Sequence, residues 1–363
     1  MDRYRSIDQE ITDIESHIKL LSRIRPINLV SERRKFFEHT SHSPIFRYKP
    51  FPFQSVVLKK NLHAIKTDRT PLGMIFQHKI DELMLKLSLI EAIGDAKLFT
   101  SLSEDLYGKI TSSILTKARN RRKFHSMPLP TSLQIYDAEE AKKILQQVFQ
   151  KYGLKRWRVA IKQSLVTDCT AGKRNTLFLR KAARFSRFKI ERLIAHEIET
   201  HIFTAENGKL QPYKIFNMGL AQYLETQEGL AIFAQEQKRE VPITIHGWSA
   251  ISVLATAAAC SGSFSDVYHK LINEGLPPKK AFRLTARIKR GLCDTSEAGA
   301  FTKELIYFSG AEKISNFAHG ASDITKLFIG KVAVKDLPFI SKIPHLEPPK
   351  YLPEWVKERR LRR

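Results

Sequence analysis

His196, Glu197 and His201 lie in the run His196-Glu197-Ile198-Glu199-Thr200-His201, an HExxxH pattern inside RFKIERLIAHEIETHIFTAENG. Two imidazoles and a carboxylate on one helix are the parts of a hydrolytic metal centre. The rings bind a divalent ion, and the acid beside the first ring takes a proton from water that the ion acidifies. Spacing is the obstacle. Ligands four apart, as in the zinc-protease pattern HExxH, differ by about 40° around an α-helix, whereas ligands five apart differ by about 140°. A π-type turn of about 4.4 residues brings that angle down to roughly 50°. The pattern therefore predicts a locally widened helix if these two rings share one ion.

A third ligand must come from elsewhere. Glu228, 27 residues after His201 in Thr226-Gln227-Glu228-Gly229-Leu230-Ala231, would complete a set of two His and one carboxylate with the fourth position open. Glu199 and Glu225 compete for that place, or for a supporting one. Gly229 would let the second helix approach the first closely.

The elements that must position these residues follow from period and punctuation. Ile7, Ile11, Ile14, Ile18 and Leu21 recur at helical spacing behind a capping box of Ser6 and Gln9. Pro44, Pro50 and Pro52 enforce an extended strap over Ile45–Gln54. A largely buried helix is predicted over Phe76–Ile93 ending at Gly94, and another from the Asp137/Glu140 capping box to about Tyr152. Two strands, Trp157–Val166 and Asn175–Phe185, flank a turn at Thr170-Ala171-Gly172-Lys173, with the second expected at a sheet edge. Ser186 caps the HExxxH helix, and Asn207-Gly208 is expected to stop it near Glu206. A further helix spans about Gly219–Gln237. Trp248–Cys260 is a core helix too short for a bilayer. Short strand-like pieces are expected at Leu305–Phe308 and Leu327–Val334. The sum is an α+β fold, helix-rich with a small mixed sheet.

Composition narrows the class. A chain of 363 residues with 42% hydrophobic content supports a core without staples. Cys169, Cys260 and Cys293 form no CxxC pair, which excludes a disulfide framework and a sulfur-ligated zinc knuckle. The opening residues lack the apolar stretch of a secretory signal, so a cytoplasmic location without a membrane span is expected. Sixty-one Lys and Arg against 37 Asp and Glu leave +24, with clusters at Arg119–Lys123, Arg184–Arg187 and Arg359–Arg363. Such a surface attracts polyanions. No nucleic-acid-binding module is recognisable, and steering of an acidic polypeptide is the other use.

Gln227-Glu228-Gly229-Leu230-Ala231 is a QEGLA signature. With HExxxH and Asn207-Gly208…Gln211-Pro212 it closely resembles the zinc metallopeptidase family of the microtubule-associated tyrosine carboxypeptidases. Arg290-Gly291, Phe301-Thr302-Lys303…Tyr307 and Leu327-Phe328-Ile329-Gly330-Lys331 resemble it too. The likeness covers about residues 45–340, leaving an amphipathic helix and arm (1–44) and a Pro-rich basic tail (341–363) outside. It implies a zincin-like catalytic domain, Zn2+ held by His196, His201 and Glu228, and Glu197 as catalytic carboxylate. In animal relatives the implied activity removes a C-terminal Tyr or Phe from a protein tail such as that of α-tubulin.

A carboxypeptidase also needs a receptor for the terminal carboxylate, which an Arg fork supplies best. Arg287, Arg290 and Lys303 are the candidates, against the plainer role of a solvated basic face. Tyr307 could donate to a developing oxyanion, or merely cap the core. Asn207 and Gln211 are expected as turn residues or as supports of a ligand histidine. The reading from another class is a basic regulator that binds nucleic acid or an acidic partner, its metal site structural or vestigial.

Overall fold

A computed structural model describes residues 3–122, 134–163, 165, 167–172, 174–238, 245–320 and 322–361. Lys123, Lys173, Ser164, Val166 and the last two arginines of the basic end lie outside the described residues. The architecture is α+β and helix-rich, with two small sheets. Helix α1 (Arg3–Ile18) buries Ile7, Ile11, Ile14 and Ile18 in the main core, which also includes residues of α3 (Pro71–Glu91). It is already helical at Arg3, so Ser6 and Gln9 are not a capping box. Their side chains donate forward to Glu10 and Asp13, while Tyr4 at the start of the helix hydrogen-bonds Asp68 and Thr70.

The strap is extended only as far as Phe51. Pro52 opens α2 (Pro52–Ala64), because proline suits the first helical turn. Phe46 is buried and its N–H donates to the Cys293 carbonyl, while Tyr48 accepts from the Gly291 N–H and donates to the Leu292 carbonyl. Helix α3 starts five residues earlier than expected, capped by Thr70. Helix α4 (Ala138–Lys151) has the reciprocal capping box of Asp137 and Glu140 that the sequence predicts.

The sheet departs from the expectation. The stretch taken for a turn is itself a strand, so β2 (Arg158–Lys162), β3 (Cys169–Gly172) and β4 (Thr176–Arg180) form a sheet ordered β2-β4-β3, with β1 (Ile135–Tyr136) and β5 (Phe185–Ser186) paired separately. The chain reverses two residues later, where Arg174 and Asn175 both take the left-handed conformation (φ 57° and 51°) that asparagine tolerates well. Strand β4 is thus central, parallel to β2 and antiparallel to β3, and β2 and β3 are the two edges.

Ser186 caps the rod that follows, with its side chain accepting from the Lys189 N–H. The rod runs through α5 (Arg187–Leu193), a π-helical stretch (Ile194–Ile202) and α6 (Phe203–Leu210). Asn207 does not end it. The buried Asn207 amide donates to the carbonyls of Phe328 and Tyr351 and accepts from the Tyr351 N–H, so its local turn preference is overridden. Gln211 grips Ile329 and Glu347 in the same way. Both residues serve to strap the C-terminal segment across the helices.

Helix α7 (Tyr223–Glu236) packs between the π-helical stretch and α10 (Leu305–His319). Helix α8 (Ile245–Ser261) is the expected apolar helix, and no described helix is long and apolar enough to cross a membrane. Helix α9 (Pro278–Lys289) ends at Lys289, whose buried ammonium donates to the carbonyls of Ala259, Gly262 and Glu297. The two late strand-like pieces are instead the start of α10 and a 3₁₀ turn at Ile324–Phe328. Short apolar runs carry no period that separates strand from buried helix. Helix α11 (Glu354–Leu361) seats Trp355 against Phe233 and Phe328.

Candidate metal centre

The widening that five-residue spacing requires is present: Ile194–Ile202 is π-helical. The Thr200 hydroxyl donates to the Ala195 carbonyl five residues back, an internal bond suited to the wide turn. On this stretch the rings of His196 and His201 meet with centroids 4.8 Å apart, nearly perpendicular. Glu228 on α7 faces both, its Oε2 lying 3.6 Å from His196 Nε2 and 3.9 Å from His201 Nε2. One ligand atom from each of the three residues lies within 4.8 Å of the others.

The donor set fits a divalent ion. Glu228 Oε2 is buried and accepts no hydrogen bond, and an unsatisfied buried carboxylate oxygen costs free energy that a cation would remove. Burial, the neighbouring His201 and the Arg192 charge hold His196 well below the usual imidazole range, which keeps its ring neutral with a lone pair to give. Each ring is backed by a glutamine from α7. Gln227 Oε1 lies 3.4 Å from His201 Nδ1 and also accepts from the Thr204 hydroxyl. Gln235 lies 2.7 Å from His196 Nδ1 through its amide nitrogen, and its Oε1 is buried without a partner. A half-turn of that amide puts the oxygen against Nδ1–H and frees Nε2 for an ion.

The sequence marks Gln227 only as part of the QEGLA signature and gives neither it nor Gln235 a role beside the histidines. The signal was their spacing: eight apart on one helix, they share a face. The competitors for third ligand are engaged elsewhere. Glu199 is buried, accepting from the Tyr152 hydroxyl (2.7 Å) and the Lys238 ammonium (2.8 Å), and Glu225 pairs with Lys313. Glu197 accepts from the Ala171 N–H of edge strand β3. Burial raises its pKa, opposed by His201 and by that bond. The edge beside the catalytic candidate is therefore β3, not the Asn175–Phe185 segment.

A second group converges from the C-terminal end of α9, the 3₁₀ turn Thr302–Glu304 and the first turn of α10. The Arg287 guanidinium makes a two-point pair with buried Glu304 (2.9 and 2.7 Å) while its side chain stays 45% exposed. Arg290 lies over the Phe301 ring (4.7 Å to the centroid), its Nε buried without a partner. The buried Lys303 lies over the Tyr307 ring (5.1 Å). The Glu228 charge, with burial, lifts the Tyr307 phenol well above its ordinary range. Burial lowers Lys303, and Glu228 opposes that shift. These responses place both residues within the field of the metal candidate.

Gly229 does not serve the approach to the HExxxH helix. A Cβ there would fall inside the backbone of Gly310 on α10, so the two glycines let α7 and α10 touch. We expect Gly310→Ala to cost about 1–3 kcal/mol by prising these helices apart. Urea denaturation of parent and variant measures it, and an unchanged midpoint would refute the tight crossing.

A family model described as microtubule-associated tyrosine carboxypeptidase matches residues 34–362. Microtubule-associated tyrosine carboxypeptidase 1 of Mus musculus is 24% identical over 331 residues, covering 88% of this chain and 61% of that protein. The Homo sapiens protein of the same name is 24% identical over 339 residues, covering 91% and 62%. The putative tyrosine carboxypeptidase MATCAP2 of Mus musculus is 29% identical over 153 residues, covering 41% of this chain and 29% of its own. The chain thus spans about three fifths of the two longer-matching relatives.

Proposed function

The chain belongs to the microtubule-associated tyrosine carboxypeptidase family, and on that premise we propose that it is a zinc-dependent carboxypeptidase of zincin-like fold. Its substrate would be an acidic polypeptide tail ending in Tyr or Phe, encountered in the cytoplasm; the names of its relatives specify tyrosine and microtubules. The observation that carries this reading is the unpartnered, buried Glu228 oxygen facing two imidazoles on a π-widened helix.

His196, His201 and Glu228 would hold the ion, with Gln235 and Gln227 fixing the two rings. Zinc bound there acidifies water and polarises a carbonyl. Glu197, next to a ligand and at the β3 edge, accepts the proton of the attacking water and passes it to the departing amine. Tyr307, a neutral phenol, donates to the oxygen that becomes negative. The Arg287 fork, oriented by Glu304, receives the substrate's terminal carboxylate together with the Lys303 ammonium, and Arg290 adds a third positive charge. Three cations against one structural carboxylate leave room for a second anion.

The test is metal analysis of the purified chain combined with a peptide screen. The reading expects about one zinc per chain, release of terminal Tyr or Phe, and none from peptides with an amidated C-terminus. Metal-free protein that stays inert after zinc addition would overturn it. Arg287→Met is expected to raise KM about 30-fold, the loss of roughly 2 kcal/mol from a charge-assisted pair, with a smaller change in kcat. Arg287→Lys keeps a charge opposite Glu304 and should fall between. Equal KM values in all three proteins would remove Arg287 from the carboxylate pocket.

A further inference from the structure

The positive charge is not spread evenly. Residues 155–192 hold twelve Lys and Arg against only Asp168 and Glu191, so ten of the net +24 lie in 38 residues. This stretch builds the three-stranded sheet and leads into the HExxxH helix. Strand alternation sends Val159, Leu177 and Leu179 into the core and leaves Arg158 and Lys162 exposed on the outer face. Register sets Arg158 beside Thr176 and Lys162 beside Arg180. Asp168 is shared by Arg180 and Lys189, so it offsets Arg180 and leaves Arg158 and Lys162 without a carboxylate partner among the described residues.

The sheet adjoins the candidate centre at its β3 edge, and Arg158 and Lys162 lie on β2 across β4 from it. Strand β3 is one of the two edge strands of the sheet, and its Ala171 N–H reaches Glu197. Arg192 stands one turn before His196 on the rod, with its Nε buried and without a hydrogen-bond partner. The ring on this face, Phe178, is covered by the Lys162 ammonium at 3.8 Å from its centroid, which leaves no platform on which a base could stack. The face therefore suits a polyanion without bases.

We infer that the outer face of the sheet is a docking surface for an acidic stretch of polypeptide, which crosses Arg158 and Lys162 and reaches the site past Arg192. This rests on the carboxypeptidase reading and adds where the chain preceding the scissile bond binds. Surface charges act mainly on encounter and hold, so the effect should appear in KM and in salt dependence.

Two peptides ending in Tyr, one with Glu and one with Gln at the preceding positions, test this on the zinc-loaded full chain and on Arg158→Glu/Lys162→Glu. Circular dichroism and melting confirm that the variant folds. The parent is expected to favour the Glu peptide, with a preference that shrinks as salt rises. The variant should show at least a tenfold higher KM for the Glu peptide with kcat unchanged, and no change for the Gln peptide. A fluorescent Glu peptide with an amidated C-terminus gives an activity-free readout by anisotropy, and the variant should bind it at least tenfold more weakly. Equal parent KM values for both peptides, or unchanged KM and anisotropy in the variant, would overturn the inference. So would a variant that loses oligouridylate binding but keeps the peptide. If the parent cleaves neither peptide, the carboxypeptidase reading falls. Anisotropy then still decides the surface: weakened binding in the variant upholds it and equal binding refutes it.

Discussion

Glu197→Gln should lower kcat for release of a terminal Tyr or Phe by at least about a thousandfold while zinc content stays at the parental level. The substitution keeps shape and burial, and it removes only the ability to take and return a proton. General acid–base catalysis contributes roughly 10²–10⁴-fold, and here one carboxylate must serve both the attacking water and the departing amine. Glu197 is also not one of the three residues that converge on a common point, so the ligand set survives. Its bond from the Ala171 N–H can be kept by the amide oxygen of glutamine, so β3 stays in place. Turnover by the variant within tenfold of the parent, with zinc bound, would assign the proton transfer to another group.

Position within the helix was legible from the sequence because only one backbone distortion reconciles two ligands five apart. His196 and His201 demanded a wide turn, and the π-helix supplies it. The capped helix at Asp137 and the core helix of Trp248–Cys260 were legible for a similar reason, since local chemistry and global packing agree there. Where they disagree, local signals mislead. Asn207-Gly208 reads as a helix stop, yet the Asn207 amide is spent on the distant Phe328 and Tyr351 backbones. Thr170–Gly172 reads as a turn, yet pairing with β4 makes it an edge strand. The Arg287–Glu304 pair joins the end of α9 to a 3₁₀ turn 17 residues on, and a contact made in three dimensions leaves no period to read. Gly229 shows the same limit. Its need for close approach was visible, but the partner, Gly310, was not.

The second large effect concerns the ion itself. Zinc should raise the melting temperature of metal-free protein, and Glu228→Gln should abolish both that rise and the peptidase activity. An ion that binds only the folded state stabilises it by RT ln(1 + [L]/Kd), about 4 kcal/mol at a thousandfold excess over Kd. The metal-free site carries its own cost: Glu228 Oε2 is buried without a donor, and burial disfavours protonation of His196. Replacing that buried carboxylate with a neutral amide relieves the cost, so metal-free Glu228→Gln should melt no lower than the metal-free parent. A residue that merely holds α7 in place would behave in the opposite way, lowering the melting point with or without zinc. Scanning calorimetry of both proteins, each with chelator and with zinc, separates these outcomes. A parental melting point indifferent to zinc would sink the metal centre, and with it the assignment of Glu197.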